Sequence, residues 1–300
     1  MKTVIFCPYL SAMWASLAPL YAEHVAAGDN VIVMPIPFTT RDRNGIPMTY
    51  RVDAFPVPTV EPSSSWLRDI HPDALYFHYP YDDRNAVTII SREFFSSRLA
   101  EYTDDLIYVP YYTMPCGDGG DVDHIIVAPG VLKADHIIVY SEASRAKYID
   151  VLHRSTHADW SSRVIVKNRP KPQTYVMPDE WAEISRGRDL IMLGTSLGAV
   201  IYNNAVELAK IRHVIESAQK TDTCLLWRPH PLYDATLTAM LPELRRSYRE
   251  IVETFIEYQQ GILDTSWDLE RAVALSSAYI GDPSSVVGFF REQGKPVTII

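Results

Sequence analysis

The sequence predicts an α/β protein of two domains, each with a parallel sheet and crossover helices. Short β-branched runs alternate with amphipathic stretches of helical length along most of the chain, which is the pattern of such sheets. The 300 residues are twice the ~150 expected of one domain. A charged, proline-rich segment at residues 169–188 separates two alternating runs and predicts a linker, because proline is disfavoured in helix interiors and central strands.

In the first domain, residues 1–168, apolar β-branched runs predict strands, and the amphipathic stretches that follow predict helices. Strands are expected at residues 3–7, 31–35, 74–78, 106–109 and 135–140. Helices are expected at residues 14–27, 93–102 and 143–152. Gly28 stops the first helix, and Ser141 with Glu142 caps the last.

The second domain, residues 189–300, repeats the pattern. Strands are expected at residues 190–193, 224–227, 278–281 and 297–300. Helices are expected at residues 200–218, 237–258, 269–275 and 286–292. Open parallel sheets bind ligands at the carboxyl ends of their strands, so the residues that follow each strand are the candidates for chemistry.

The composition narrows the class of partner. With 47% hydrophobic and 22% charged residues, the chain can bury enough apolar surface to fold. The formal net charge of −9 disfavours nucleic acid and anionic membranes as main partners. The three cysteines lack disulfide-framework and metal-ligand spacing. No leader or apolar run of the ~18 residues needed for a membrane span is found, so we expect a cytoplasmic protein.

The first candidate loop is GTSLG (194–198), which fits the G-x-S-x-G pattern of a hydrolase nucleophile. The expected downstream acid and distant histidine are poorly matched, because the last histidine is His230. Three interpretations stay open. The loop is a hydrolase site at Ser196, an anion site formed by Thr195, Ser196 and the free N–H groups of the next helix, or a simple helix cap.

The second candidate loop is WRPHP (227–231). Two prolines restrict the backbone around His230 and so aim its side chain. The fork of Arg228 suits phosphate oxygens, so both residues are candidates to bind a pyrophosphate or to stabilise a leaving group. The alternative is a capping histidine beside a surface arginine.

The third candidate loop is GDPSS (281–285), at the junction of a strand and a helix. Ser284, Ser285 and the first-turn N–H groups form a second anion site, and Asp282 either accepts from a ribose or base amine or caps the helix. Several anion-binding loops in one domain predict a ligand with more than one anionic group, and a nucleoside diphosphate derivative fits this description.

The order and spacing of these segments resemble a known family. WRPHP, DLERAVALSSAYIGDPSSVV (268–287) and GKPV (294–297) resemble the donor-binding half of the CDP-glycerol glycerophosphotransferases, the teichoic-acid primases and polymerases. PYLSAMWASL (8–17), MPIPF (34–38), HYPYDDRNAVT (78–88) and DLIYVPYY (105–112) resemble the N-terminal half of Firmicutes members. The resemblance implies a GT-B-like fold, in which two Rossmann-like domains face each other across a cleft and bind acceptor and nucleotide donor respectively.

The resemblance also implies a reaction. A polyol phosphate, most simply glycerophosphate, would pass from a CDP-activated donor to a hydroxyl of a cell-surface polymer or lipid-linked acceptor, and CMP would leave. His230 matches the family histidine that contacts the donor pyrophosphate, while Asp282, Ser284 and Ser285 match its D-x-S-S element. A lipid-linked acceptor would bring the protein into peripheral contact with the inner face of the plasma membrane.

The acceptor base must differ from that of the family polymerases. Their tryptophan-histidine-glycine motif is replaced by YYTMP (111–115) in this chain. Substitutes in the first domain are His78, Asp82 and Asp83, of which we predict Asp82 or Asp83 to accept the hydroxyl proton. The alternative is a solvated turn.

Other classes stay open or are disfavoured. A nucleotide-sugar glycosyltransferase of GT-B type and a non-catalytic nucleotide-binding relative remain alternatives. A dehydrogenase is disfavoured, because no G-x-G-x-x-G follows the first strand. We predict no metal, since Asp118, Asp121 and Asp123 lack calcium-loop spacing, and no cofactor beyond the donor substrate.

Overall fold

The computed structural model describes residues 1–111, 123–168, 174–221, 223–257, 259 and 261–300. These residues cluster into two compact units. The first contains most of residues 1–168, and the second contains residues 174–300 with Arg41–Ile46.

The first unit is built on a parallel sheet. Among the described residues, six strands follow the order β2-β1-β5-β7-β8-β9, and all neighbours are parallel. They are β1 (Thr3–Cys7), β2 (Asn30–Val33), β5 (Ala74–Phe77), β7 (Leu106–Tyr108), β8 (His136–Val139) and β9 (Val164–Val166). The strand order reverses between β1 and β5, so the loops after these two strands border the crevice where such sheets bind ligands.

Helices and a small second sheet complete the first unit. The helices are α1 (Ala18–Ala26), α2 (Ser64–Ile70), α3 (Ser96–Leu99), α4 (Asp123–Ile126), α5 (Pro129–Lys133) and α6 (Glu142–Thr156). The small sheet has the order β4-β3-β6, with β3 (Phe38–Arg41), β4 (Pro47–Arg51) and β6 (Thr88–Ile90). β3 and β6 are antiparallel. The sequence did not predict this sheet, because its strands are short and their polar residues are typical of loops.

The second unit contains a parallel sheet with the order β12-β11-β10-β13-β14 among the described residues. The strands are β10 (Leu190–Thr195), β11 (Cys224–Pro229), β12 (Gly261–Leu263), β13 (Ser276–Gly281) and β14 (Val297–Ile299). In chain order this is 3-2-1-4-5, the Rossmann arrangement, whose reversal point lies between β10 and β13.

Each face of this sheet is covered by helices. Alternate residues of β10 and β11 point to opposite faces, so Leu193 and Trp227 pack with Ile211 and Phe255 on one side. The opposite alternation places Met192, Leu226, Val273 and Phe290 together on the other side. The helices are α7 (Asp179–Ser185), α8 (Leu197–Asn203), α9 (Ala205–Lys220), α10 (Tyr233–Met240), α11 (Pro242–Glu257), α12 (Leu269–Leu275) and α13 (Ser285–Glu292).

Three predicted segments of the second domain differ from the structure. The helix expected at residues 200–218 is interrupted at Asn204, whose φ is 49°. The helix expected at residues 237–258 ends before Pro242, since proline cannot continue a helix from the preceding turn. The linker expected at residues 169–188 includes α7, because Trp181 is 6% exposed and packs in the core of the second unit.

In the first unit, the helices expected at residues 14–27 and 93–102 are each divided. Each becomes a 3₁₀ turn followed by a shorter α-helix, α1 or α3. The parallel strands predicted there are present, with ends shifted by a few residues.

Candidate functional site: the carboxyl rim of the second sheet

Three predicted loops come together at one edge of the second sheet. β11, β10 and β13 are adjacent parallel strands, so the loops that follow them emerge side by side. We call the candidate residues on these loops the second-sheet rim. They are Thr195, Ser196, His230, Asp282, Ser284 and Ser285.

Main-chain bonds tie the first two loops of the rim together. The His230 N–H donates to the Thr195 carbonyl at 3.0 Å. The Thr195 hydroxyl accepts from Trp227 Nε1 at 3.3 Å, and the residue is 5% exposed. Thr195 therefore fixes the loop from inside rather than facing a ligand.

A carboxylate connects the first loop to the third. Asp282 is 1% exposed, and its Oδ2 accepts from the Ser196 N–H at 2.6 Å. Its own N–H donates to the Gly194 carbonyl at 3.1 Å. This close approach depends on two glycines: a Cβ on Gly194 would lie 2.5 Å from Tyr279 Oη, and one on Gly281, at φ 150°, would collide with the Gly194 carbonyl.

The geometry of Ser196 is that of a helix cap. Its φ of −101° and ψ of 157° are ordinary extended values, not the strained turn of a hydrolase nucleophile. Its hydroxyl caps α8 by accepting from the Ala199 N–H at 3.2 Å. The Asp282 carboxylate supplies the negative charge at this helix start, so the anion site predicted at Ser196 is partly filled by the protein itself.

His230 is a neutral hydrogen-bond donor in this setting. Its Nδ1 accepts from the Leu232 N–H at 3.1 Å, which places the proton of the neutral ring on Nε2. Burial, with the positive charge of Arg228, lowers the pKa of His230 to about 4. Among the described residues Nε2 has no hydrogen-bond partner, so its N–H can donate to a ligand oxygen.

The guanidinium of Arg228 donates to groups of the protein. Its Nη1 donates to Asp264 and its Nη2 donates to the Ser266 carbonyl at 2.7 Å. The side chain is 9% exposed, and Asp264 balances its charge. These bonds hold the fork against the loop between β12 and α12. Direct binding of phosphate by Arg228 stays a prediction.

Ser284 and Ser285 lie at the start of α13. Ser284 occupies the N-cap position, yet its hydroxyl makes no bond to a helix N–H. Ser284 Oγ lies 3.4 Å from Tyr279 Oη, which donates to the Asp282 carbonyl at 2.7 Å. Both serines are half-buried, so these hydroxyls and the first N–H groups of α13 make the third loop the better anion site of the rim.

The sequence analysis did not single out Glu207, which lies beneath the rim on α9. The residue is 0% exposed. A signal was present, because Glu207, Ile211, Val214 and Ala218 follow helical spacing and share the buried face of α9. A carboxylate in an otherwise apolar stripe indicates a special environment.

The candidates in the first unit follow β5, at the reversal point of its sheet. His78 is 0% exposed; its Nε2 accepts from the Tyr9 N–H at 2.8 Å, and burial lowers its pKa to about 3. Asp82, at φ 52°, is 7% exposed. It accepts from the N–H and hydroxyl of Ser96, both at 2.8 Å. His78 and Asp82 thus both bind groups inside the first unit, whereas Asp83 is exposed. The base expected at Asp82 or Asp83 stays a prediction.

Other predicted positions lie partly outside the described residues. These include 112–115 of the YYTMP segment, Asp118 and Asp121. Asp123 forms ion pairs with Lys147 and Arg154. No group of three or more metal-ligating side chains occurs among the described residues. No helix in the described part of the chain has the length and apolar character to cross a bilayer.

Comparison with known proteins supports the fold. No family model matches the chain, and a search of curated proteins finds no match. The chain is similar to MnaA of S. aureus solved with UDP, at 12% identity and TM-score 0.56, covering 100% of this chain and 79% of that one. It is also similar to the wall teichoic acid polymerase TagF soaked with CDPG, at 12% identity and TM-score 0.55, covering 100% and 69%.

A third similar structure is the UDP-GlcNAc 2-epimerase of Methanocaldococcus jannaschii in complex with UDP-GlcNAc and UDP. Its identity is 12% and its TM-score 0.55, over 99% of this chain and 83% of that one. These likenesses show an α/β fold of the GT-B type, as the sequence predicted.

Proposed function

We propose that the chain is a GT-B-type transferase that moves a glycerophosphate-like polyol phosphate from a CDP-activated donor to an acceptor hydroxyl. The acceptor would be a cell-surface polymer or a lipid-linked saccharide or polyol. The observation that carries the proposal is the second-sheet rim, where loops after three adjacent strands are hydrogen-bonded into one unit at the reversal point of a Rossmann sheet.

The donor pyrophosphate would bind between the imidazole and the start of α13. His230 Nε2–H donates to one phosphate, and the hydroxyls of Ser284 and Ser285 with the α13 N–H groups bind the other. A neutral imidazole N–H suits this task, because the ring needs no proton transfer to bind an anion. Asp282 orients the loops, Thr195 and Ser196 shape them, and Arg228 acts through the β12–α12 loop and its charge on His230.

In the proposed reaction the acceptor oxygen forms a bond to the β-phosphorus. The bond from that phosphorus to the bridging oxygen breaks, and CMP leaves with the electron pair. The hydroxyl proton passes to a base, for which exposed Asp83 is our candidate in the first unit. Such phosphoryl transfer depends on positioning and charge stabilisation, so no protein nucleophile and no cofactor are invoked.

Calorimetry with CDP, CDP-glycerol, UDP-GlcNAc and GDP-mannose tests the donor. The proposal expects the cytidine compounds to bind most tightly and CDP-glycerol to release CMP when acceptor is present. Preference for UDP-GlcNAc would favour a nucleotide-sugar enzyme, an alternative suggested by the similar structures solved with UDP. Tight binding of CDP-glycerol without CMP release would indicate a non-catalytic relative.

Variants then test the residues. His230→Ala should abolish CMP release with the fold intact, whereas His213→Ala, at an exposed position on α9, should not change it. Asp83→Asn should lower turnover and leave donor affinity unchanged, with exposed Glu93→Gln as its control. Wild-type kinetics in His230→Ala would remove the proposed role of the rim.

A further inference from the structure

Glu207 is a buried acid whose neighbours include a second carboxyl group, that of Asp282. The residue is 0% exposed, and within the part of the chain that the structure describes no N–H or O–H group lies at hydrogen-bond distance from either of its oxygens. Lys210 Nζ, one turn later on α9, lies 3.6 Å from Oε2, beyond hydrogen-bond distance. Lys210 also donates to the Ile300 carbonyl at 3.3 Å, so its charge is shared. An ionised carboxylate left in this position would be costly.

The charge that faces Glu207 from another element is the Asp282 carboxylate. Among the described residues, the other titratable groups that interact with both carboxyl groups are the phenols of Tyr233 on α10 and Tyr279 on β13. Burial raises the pKa of both phenols well above 10, so they stay neutral. One lysine therefore stands near two buried carboxyl groups, and a single proton between them removes the repulsion of like charges.

Asp282 is the member of the pair that accepts a hydrogen bond from a helix N–H. Its Oδ2 accepts from the Ser196 N–H at 2.6 Å, a short bond typical of a charged acceptor at the start of a helix. Glu207 has no such donor and is the member that binds the proton. Burial and the Asp282 charge raise the pKa of Glu207 to about 7, which agrees with this assignment.

We propose that Glu207 is a positioning residue that remains a protonated acid and so keeps the Asp282 carboxylate bonded to the Ser196 N–H. This inference rests on the proposed function, because it says that Glu207 keeps the second-sheet rim in the conformation that binds the nucleotide donor. Loss of the proton would place a second negative charge beneath Asp282. That charge would disturb the link between the β10 and β13 loops and oppose binding of donor phosphates.

The sign of the pH effect follows from the proton count. Glutamate has an ordinary pKa of 4.5, and folded Glu207 has one of about 7, so between these values the folded state binds the extra proton. The contribution of Glu207 to stability therefore falls as pH rises across this window, by a factor of about ten in the unfolding equilibrium constant per pH unit. Above the window the contribution of Glu207 is constant.

Glu207→Gln tests the proposal, because glutamine keeps the shape and the neutral charge of the protonated acid. In urea unfolding of the ligand-free protein, the free energy of unfolding of the wild type minus that of Glu207→Gln should fall as pH rises from 5 to 7 and then stay constant up to pH 8.5, because the histidines contribute equally to both proteins. Glu216→Gln removes an exposed carboxylate from the same helix and should keep the wild-type profile. Infrared difference spectra should show a protonated-carboxyl band in the wild type that is lost in Glu207→Gln.

CDP affinity gives the second readout. The ratio of wild-type to Glu207→Gln affinity cancels the titration of the nucleotide and should fall about tenfold between pH 6 and pH 8.5. A Glu207→Gln protein that is unstable at every pH, or that binds CDP poorly at pH 6, would show that the ionised acid is needed and would overturn the proposal. If no variant binds CDP, the proposed function fails, while the unfolding and infrared results still decide where the proton lies.

Discussion

Gly198 provides a direct test of where the donor binds, because the space beside its Cα is open. Among the described residues, no heavy atom apart from the neighbouring residues and the backbone of the same helix lies within 4 Å of the position that a Cβ would occupy. Gly198 belongs to the first turn of α8, where alanine is preferred to glycine by up to about 1 kcal/mol. Gly198→Ala should therefore raise the free energy of unfolding by about 0.5–1 kcal/mol.

The same methyl group should weaken donor binding. A donor held at the reversal point of the sheet would lie against the start of α8, and the methyl group would fill part of its space. Overpacking of this kind costs about 1–3 kcal/mol, which corresponds to roughly 5- to 150-fold in Kd for CDP. The expected variant is thus more stable than the wild type and binds more weakly, a combination that general damage to the fold cannot produce.

Gly194→Ala is the matched variant. Its Cβ would lie 2.5 Å from Oη and 2.6 Å from Cε2 of Tyr279, whose ring is 1% exposed. We expect a loss of about 1–3 kcal/mol of stability together with weaker binding. Urea unfolding and calorimetry with CDP measure both quantities. Wild-type affinity in Gly198→Ala would refute the placement of the donor, and a loss of stability would show that the space is not open.

Three further variants test the supports of the fold. Arg228→Met should lower the free energy of unfolding by about 3 kcal/mol, because it leaves the buried Asp264 carboxylate without its ion-pair partner. In urea unfolding, the double variant Arg228→Met/Asp264→Asn should recover part of this loss. His78 contributes stability that is lost as pH falls from 6.5 towards 3, since unfolded His78 binds a proton that folded His78 does not; the free energy of unfolding of the wild type minus that of His78→Gln should therefore decrease as pH falls from 6.5 to 4. Lys295 donates to two carbonyls at the end of α12, at 2.6 and 2.9 Å, so Lys295→Met should lower the free energy of unfolding by about 1–3 kcal/mol while CDP affinity in calorimetry stays unchanged.

The sequence predicted the strand-end loops because parallel strands impose their own geometry. Once GTSLG, WRPHP and GDPSS follow neighbouring strands, their meeting at one edge needs no knowledge of side-chain packing. The direction of each side chain within the rim could not be predicted in this way, because it depends on partners that are distant in the chain. Asp282 turned inward to the Ser196 N–H, and Arg228 bonded to Asp264, which is 36 residues away in the chain.

Local breaks in helices were harder to predict than the helices themselves. Hydrophobic periodicity continues through Pro242, but the proline ring cannot extend a helix from the preceding turn. α10 therefore ends at Met240, and α11 begins at Pro242. At Asn204 the periodicity also continues, and only the left-handed φ of 49° shows that α8 and α9 are separate helices. Such a break depends on how each helix packs against the sheet, which periodicity does not record.

The partners of the buried polar groups change the expected number of anion sites in the second unit. The sequence indicates two helix starts as anion sites, one after β10 and one after β13. Asp282 supplies the negative charge at the first, whereas the first turn of α13 contains no acidic residue of its own. Under the proposed function, the start of α13 binds one phosphate of a diphosphate donor and His230 binds the other. A nucleoside monophosphate would use only one of these two places, so its affinity should fall well below that of the diphosphate, and His230→Ala should remove most of the difference.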